Sequence, residues 1–463
     1  MNFWTLDRLA QALADELDGA RPEGRIALGR VVTDTRIVAP GDVFVALIGE
    51  RFDGHDFCAE AVQRGAVALV VSEPRQVHGL GVPAFTVGDT TRALGALGSY
   101  RRRAWRGPVV AVAGSNGKTS TKELVAAALS SVLSVHATRG NLNNQVGVPL
   151  TLLAIPDDAD IAVVEIGTNH PGEVAALRAI VEPDIAVVTS IGEEHLEGFG
   201  DIEGVLREEC SVFDGVALAI TPSAQPEVAR EARTRAGRVV EAGCDRGDVY
   251  PASWGVSEDG HGWATLGDVT LRVPLLGAHN VRNAMLAIAV ARSCGIADAD
   301  AVRGIESMPP LRMRSALEAL GSMRLLNDAY NANPASAREA LAMLDAIGGE
   351  RPRVAVLGSM LELGPQGVAL HEEIAARALA SRASVVAGIG EFVAALQKLA
   401  PGDPRVIVAP DAEALWPLLA PRLAPDAIVL LKGSRGTRLE RLVPFLRAFA
   451  GVPEPDSAPA NAH

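Results

Sequence analysis

Lysine is nearly missing from this chain. Of its 43 lysine and arginine residues, only Lys118, Lys122, Lys398 and Lys432 are lysines, so arginine serves almost wherever a cation is needed. A lysine in a functional position is therefore informative, because a compact ammonium on a flexible stem suits a phosphate cradle better than a broad guanidinium fork. Cysteine is scarce too. Cys58, Cys210, Cys244 and Cys294 lie far apart, which excludes a disulfide framework or a metal-ligand spacing and fits a reducing cytosol. No apolar run approaches the roughly 18 residues of a membrane span. Basic charge is in deficit, and the net charge of -13 sets the surface as a whole against nucleic acid or an anionic membrane. Any polyanion must be met by a local site. Near the start, Leu6, Leu9, Leu13 and Leu17 recur at helical period among Asp7, Asp15 and Glu16, unlike a signal peptide.

What is present is organised around residues 107–123, Gly-Pro-Val-Val-Ala-Val-Ala-Gly-Ser-Asn-Gly-Lys-Thr-Ser-Thr-Lys-Glu. A short buried strand runs through a glycine-rich bend into a helix, whose free N–H groups point at an anion. Gly114 and Gly117 permit positive φ and close backbone approach. Gly114, Ser115, Asn116, Gly117, Lys118, Thr119 and Ser120 form the expected phosphate cradle, with Lys118 on the β and γ phosphates and the Thr119 hydroxyl on Mg²⁺. The loop is two residues shorter than the common Gly-x-x-x-x-Gly-Lys-[Ser/Thr] form. A glycine turn beside a surface lysine is the plainer alternative.

At 463 residues the length suggests about three domains. Residues 1–92 read as a small α/β domain, with the polar loops Thr33–Arg36 and Gly49–His55 open to ligand binding or to ordinary turn chemistry. From 93 to 307 strands and helices alternate, predicting a doubly wound parallel sheet, with an antiparallel patch over 249–275 before a helix from Asn280. The Pro309-Pro310 pair marks a boundary, and 308–450 repeats the α/β pattern. Residues 451–463 read as a loose tail.

Glu165 ends an apolar strand, where a carboxylate faces the ligand crevice as a Mg²⁺ ligand or caps the next helix. His195 follows the next strand, at the same crevice edge if the strands pair in that order. Asn141, Asn143 and Asn144 either bind substrate or stabilise turns. Asn280 reads as an N-cap, and Asn283, one turn on, can read a base edge with its amide. Asn327-Asp-Ala-Tyr-Asn-Ala-Asn-Pro334 joins a strand to a proline-initiated helix. Lys432-Gly-Ser-Arg-Gly-Thr-Arg438 repeats the strand, glycine and helix logic with three cations, and predicts a second anion site.

Together, Gly-Ser-Asn-Gly-Lys-Thr, Gly-Asn-Leu-Asn-Asn-Gln-Val-Gly-Val-Pro, Glu-Ile-Gly-Thr-Asn-His-Pro-Gly-Glu, His-Leu-Glu-Gly-Phe-Gly, His-Asn-Val-Arg-Asn-Ala and Asp-Ala-Tyr-Asn-Ala-Asn-Pro resemble the Mur ligases, from Thr33 to about Arg441. Within them the likeness is to the branch that adds D-Ala-D-Ala to UDP-N-acetylmuramoyl-tripeptide. The resemblance implies an α/β protein of three domains: one for the UDP end of the substrate, a central P-loop domain and a C-terminal Rossmann-like domain. It implies amide synthesis from ATP through an acyl phosphate, with Mg²⁺, by a cytoplasmic monomer that neither binds nucleic acid nor inserts in a membrane. It also implies roles: Thr119 and Glu165 on one Mg²⁺, His195 on a second, Asn283 on adenine, Arg312 and Asp328 on the nucleotide, Thr35 and Arg36 on the uridine end. Asn141, Asn144, Tyr330 and Asn331 would meet substrate. The family usually has Asp-Asp-Ser-Tyr where this chain has Asn327-Asp-Ala-Tyr, and Gly-Arg where it has Leu311-Arg312.

The sharpest departure is Glu209, which stands where these ligases usually carry a carbamylated lysine. Ile202, Val205, Leu206, Val212 and Phe213 predict one apolar helix stripe, with Glu209 inside it and Glu208 about 100° away. An inward carboxylate is costly unless paired or on a metal. The expectation is that Glu209 reaches the second Mg²⁺ with His195. The alternative is an inward glutamate paired with an arginine. A sister ligase adding a diamino acid would carry Asp-Asn-Pro-Arg, and a nucleotide switch Asn-Lys-x-Asp; neither occurs. Folate polyglutamate ligases share the phosphate loop but lack the Tyr-Asn-Ala-Asn-Pro turn. Another Mur-type ligase, or a silent nucleotide-binding scaffold, remains the rival reading.

Overall fold

Runs of four or five valine, isoleucine and alanine residues bounded by glycine, proline or aspartate become strands buried on both faces, as parallel strands covered by helices must be. The computed structural model describes residues 3–19, 21–309 and 316–453. Its first sheet is parallel, in the order β1 (Val31–Val32), β2 (Val43–Val45), β3 (Ala68–Val71) and β4 (Ala84–Thr86). The helix Thr90–Trp105 follows, capped by Asp89, and its Ala93, Leu94 and Leu97 pack into the core of this sheet. The division expected at 92 thus falls inside a helix.

The central sheet comprises β5 (Val109–Ala113), β6 (Val135–Ala137), β7 (Ile161–Glu165), β8 (Ile185–Val188), β9 (Leu218–Pro222) and β10 (Arg238–Ala242). Its order is β10-β9-β8-β5-β7-β6, parallel throughout. The order reverses at β5, and the register sets Val112 beside Glu165 and Ala113 beside Val188. The carboxyl ends of β5, β7 and β8 therefore open one crevice, the ligand position of doubly wound sheets. Helices Lys118–Ser130 and Ala278–Ser293 bury Leu124, Ala128, Ala284 and Ala287 in a common core on one face. An antiparallel sheet of β11 (Ser253–Val256), β12 (His261–Leu266) and β13 (Val269–Leu276) leads into the second of these helices.

The last sheet runs β14 (Ala316–Leu320), β15 (Met323–Asp328), β19 (Ile428–Lys432), β16 (Arg353–Leu357), β17 (Val385–Ile389) and β18 (Val406–Ala409) in space. Only β14 is antiparallel. Arg312 and the tail from 454 onward lie outside the described residues, as does Pro310 of the expected boundary. No helix among the described residues is long and apolar enough to cross a membrane.

Candidate active site

β5 delivers the chain to Gly114 at φ +120° and Gly117 at φ +82°. Both glycines are obligatory. A Cβ on Gly114 would stand 2.4 Å from Thr189 Oγ1, and one on Gly117 would stand 2.9 Å from the Asn283 amide. β8 pins the loop from the side: Ser115 N–H donates to the Ser190 carbonyl at 2.7 Å, and Thr189 Oγ1 donates to the Asn116 carbonyl at 2.6 Å. Helix Lys118–Ser130 begins there without a side-chain cap, so its first N–H groups are left for a ligand. Lys118 folds back: Nζ donates to the Gly114 carbonyl at 2.5 Å and lies 3.9 Å from Glu194 Oε2 and 4.0 Å from Glu209 Oε1.

Thr119 and Glu165, expected from the sequence to share a cation, are both buried. Glu165 Oε1 accepts from Asn143 Nδ2 at 2.8 Å, while its Oε2 and Thr119 Oγ1 are buried with no protein partner. Buried polar oxygens are almost always satisfied. Two that are not, beside a phosphate loop, are the hard-oxygen donors that Mg²⁺ takes together with phosphate. They fit that ion, although no cluster of three or more His, Cys, Asp or Glu occurs among the described residues.

His195 sits in the left-handed region at φ +48°, costly for a non-glycine residue. Its Nδ1 is hydrogen-bonded to Glu362 Oε2 from the C-terminal sheet, and Glu362 is itself at φ +63°. Burial holds the imidazole below its ordinary range, against the pull of Glu362. The contact is then a neutral Nδ1–H donated to a carboxylate, which leaves the Nε2 lone pair for another partner.

Glu209 is turned inward. It is wholly buried beneath the loop and does not line the cavity that His195 lines. Its Oε2 accepts the Gly114 N–H at 2.7 Å, and the cation near it is Lys118, not an arginine. Helix Ile202–Cys210 explains this: Val205, Val212 and Phe213 are buried, but Ile202 is exposed. The inward stripe is thus rotated, and Glu208 is buried with Glu209, accepting from Gly172 and Val174 N–H at 2.8 Å each. Glu194, which sequence reasoning missed, completes the group. Burial, first, and then the Glu209 charge push its carboxyl up to about 8, with Lys118 opposing. Burial likewise raises Glu209. The signal was available in the Glu193-Glu194-His195 run at a strand exit. Glu362 left none, being 167 residues from its partner.

A cavity of about 1050 Å³ joins these parts, with room for a nucleotide and more. Ser115, Asn116, Gly117, Lys118 and Ser120 line it, with Glu165, Asn283, Asp328, Tyr330 and Asn331. Asn283 donates to Asn280 Oδ1 at 3.0 Å. Asn280 is not the N-cap, because the helix starts at Ala278 after Gly277. Asn141 Nδ2 donates to the Tyr330 hydroxyl at 2.9 Å, whereas Asn144 Oδ1 accepts from Gly147 N–H at 2.9 Å, as a turn residue does. Asp328 pairs with Lys432 at 2.7 Å. Thr35 and Arg36 are not brought to this cavity. Arg36 is paired with Asp34 at 2.6 Å, and the N-terminal wall is Ile48, Gly49, Glu50 and Thr91. His55, in the loop read as open to ligand, is buried, with Nδ1 on Asp53 and Nε2 accepting from Ser72 N–H at 2.9 Å.

Residues 29–142 match the Mur ligase family catalytic domain, 112–291 the Mur ligase middle domain and 312–435 the Mur ligase glutamate ligase domain. Over 456 residues the chain is 35% identical to the UDP-N-acetylmuramoyl-tripeptide--D-alanyl-D-alanine ligase of Escherichia coli (strain K12), covering 96% of this chain and 98% of that one. The chain belongs to the Mur ligase family. Among solved structures in that family, MurF from Acinetobacter baumannii superposes with a TM-score of 0.86 at 30% identity, covering 96% of this chain and 99% of that one. MurF from Thermotoga maritima in complex with ADP superposes with a TM-score of 0.79 at 27% identity, covering 91% and 98%. The three-domain Mur ligase fold is thus this protein's fold.

Proposed function

We propose that this protein joins D-alanyl-D-alanine to UDP-N-acetylmuramoyl-tripeptide at the expense of ATP, as a cytoplasmic monomer divided near residues 92 and 308. The observation that carries the reaction class is one cavity holding the phosphate loop, Glu165 with its unpartnered oxygen, and Asp328, Tyr330 and Asn331 of the polar turn. The substrates are those of the Escherichia coli relative, matched over nearly its whole length.

The reaction takes two steps. The tripeptide carboxylate attacks the γ phosphorus of ATP, giving an acyl phosphate and ADP. The dipeptide amine then attacks the acyl carbon, phosphate leaves, and the amine gives up a proton. Phosphoryl transfer of this kind is mostly positioning and charge stabilisation. Loop N–H groups hold the phosphates, Lys118 swings from the Gly114 carbonyl to the γ phosphate, and Asn283 faces adenine. Thr119 and Glu165 would hold Mg²⁺, and His195 would offer Nε2 to a second cation. A metal bound there would supply neutralisation of the phosphate charge. Glu209 backs Lys118 from beneath the loop. Arg312 and Asp328 serve the nucleotide, and Thr35 and Arg36 the uridine end.

Phosphate release is expected to require Mg²⁺, the UDP-linked tripeptide and D-Ala-D-Ala together, and to stop with EDTA. Equal release with L-alanine or meso-diaminopimelate in place of the dipeptide would refute the substrate assignment. Release without any amine acceptor would refute the ligase reading.

A further inference from the structure

Of the four lysines, Lys122 is the most deeply buried, its side chain 0% exposed against 4% for Lys432, 16% for Lys118 and 65% for Lys398. A buried ammonium is kept only where partners satisfy it. Lys122 has two. Its Nζ donates to the Thr138 carbonyl at 2.8 Å and pairs with Glu123, a partly exposed side chain.

Thr138 is where the ladder between β6 and β7 ends. Its N–H donates to the Val163 carbonyl at 3.0 Å, and the last paired residues are Ala137 and Val163. The next bond of a parallel register would run from the Glu165 N–H to the Thr138 carbonyl. Instead the Glu165 N–H donates to Thr138 Oγ1 at 3.0 Å, and the displaced carbonyl is the one that Lys122 holds. Thr119 stands three residues before Lys122 on the same helix, so the two are neighbours on one face, and both are buried. One ammonium thus fastens the helix that carries Thr119 to the turn that carries the backbone of Glu165.

Given the cation reading of Thr119 and Glu165 above, we propose that Lys122 is a positioning residue for that cation. Through the carbonyl and hydroxyl of Thr138 it sets where the Glu165 carboxylate stands relative to the Thr119 hydroxyl. Mg²⁺ demands short contacts in near-ideal octahedral geometry, so two ligands drawn from different elements need such a tie. A lysine suits the place, because its compact head meets one carbonyl and one carboxylate in a closed space that a guanidinium fork would overfill. The Glu165 carboxylate is steadied separately, by Asn143 on Oε1 at 2.8 Å, which leaves Lys122 and Thr138 to fix the backbone beneath it. Neither Lys122 nor Thr138 lines the cavity, so an effect of either on the cation is indirect.

The test is calorimetric titration of ADP into the full chain, in EDTA and over a series of Mg²⁺ concentrations, for the wild type, Lys122→Met, Thr138→Val and Thr138→Ser, with melting curves alongside. In the wild type, Mg²⁺ is expected to tighten ADP binding. In Lys122→Met and Thr138→Val the Mg²⁺ concentration that gives half of this gain should rise by roughly 10- to 100-fold, the range for removing a group that orients a metal ligand. ADP affinity in EDTA should stay at the wild-type value. Thr138→Ser keeps the hydroxyl and should keep the wild-type Mg²⁺ dependence. A merely structural lysine would lower ADP affinity in EDTA by the same factor, or move the melting temperature alone, and either result overturns the assignment. If Lys122→Met does not fold, the two Thr138 variants, which retain the ammonium, decide by the same criterion: an unshifted Mg²⁺ dependence in Thr138→Val overturns it. No tightening by Mg²⁺ in the wild type overturns the cation reading itself, whereas tightening that every variant shares with the wild type overturns only the role of Lys122.

Discussion

At the scale of residues, one ammonium stands between two buried carboxylates. Lys118 balances Glu194 and Glu209, lying 3.9 Å from Glu194 Oε2 and 4.0 Å from Glu209 Oε1. The lysine thus has two jobs, holding the loop together without nucleotide and meeting phosphate with it. Lys118→Ala is expected to cut turnover by about 10²- to 10³-fold and to lower the melting temperature, because removing one partner leaves buried charge uncompensated. Adding Glu209→Gln to Lys118→Ala should restore much of the melting temperature, since the amide oxygen can still accept from Gly114. It should not restore turnover. Joint recovery of both quantities, or of neither, would show that the two jobs are not separable as argued.

Among elements, the strand-end loops carry the chemistry, and their shape depends on a few side chains that never touch a ligand. Gly117→Ala forces an L residue to φ +82° and presses on Asn283. It is expected to cost roughly 1–2 kcal/mol of loop stability and to weaken ADP binding measured by calorimetry; unchanged affinity would contradict the close approach. His371 holds the Met360–Glu362 loop in the same indirect way. Its Nε2 accepts the Met360 N–H at 2.9 Å and its Nδ1 donates to the Gly367 carbonyl at 2.7 Å. Burial holds this imidazole below its ordinary value of 6.5. The unfolded chain therefore takes up the proton first, so the contribution to stability is complete above 6.5 and is lost as pH falls from there toward the folded-state value. Melting curves of the wild type should drop on that acid limb more steeply than those of His371→Gln. Parallel curves would remove His371 from the account.

The whole molecule is closed by polar contacts between the central and C-terminal sheets. Asn333 Nδ2 donates to Asn116 Oδ1 at 2.9 Å, Tyr330 meets Asn141, and Glu362 meets His195. Arg338 bridges Glu193 at 3.2 Å and Glu373 at 2.8 Å. Glu339 takes His279 at 3.1 Å and also Arg282, which hold its carboxyl below the usual range against the cost of burial. Part-exposed pairs of this kind contribute about 0.2–1 kcal/mol each, so the closed arrangement is held weakly enough to open. Arg338→Ala combined with Glu339→Ala should enlarge the radius of gyration without nucleotide in solution scattering and raise KM for ATP. A scattering curve identical to that of the wild type would mean that closure rests on something else.

The sequence by itself determined what is local. The buried strand into Gly114 and Gly117, a loop lysine in a chain that otherwise relies on arginine, Glu165 at a strand end, and the alternation that makes parallel sheets all follow from residue type and spacing over a dozen positions. The inward turn of Glu209 was legible too, because a 3.6-residue period reports a face. What that face meets was not. Only the tertiary structure set Glu209 under the loop with Glu194, its Oε2 on the Gly114 N–H. Only it aimed Glu362 at His195 and left Thr35 and Arg36 off the cavity. The physical reason is that a period fixes direction about one axis. Partners brought from 95 to 217 residues away are fixed by how the sheets pack together.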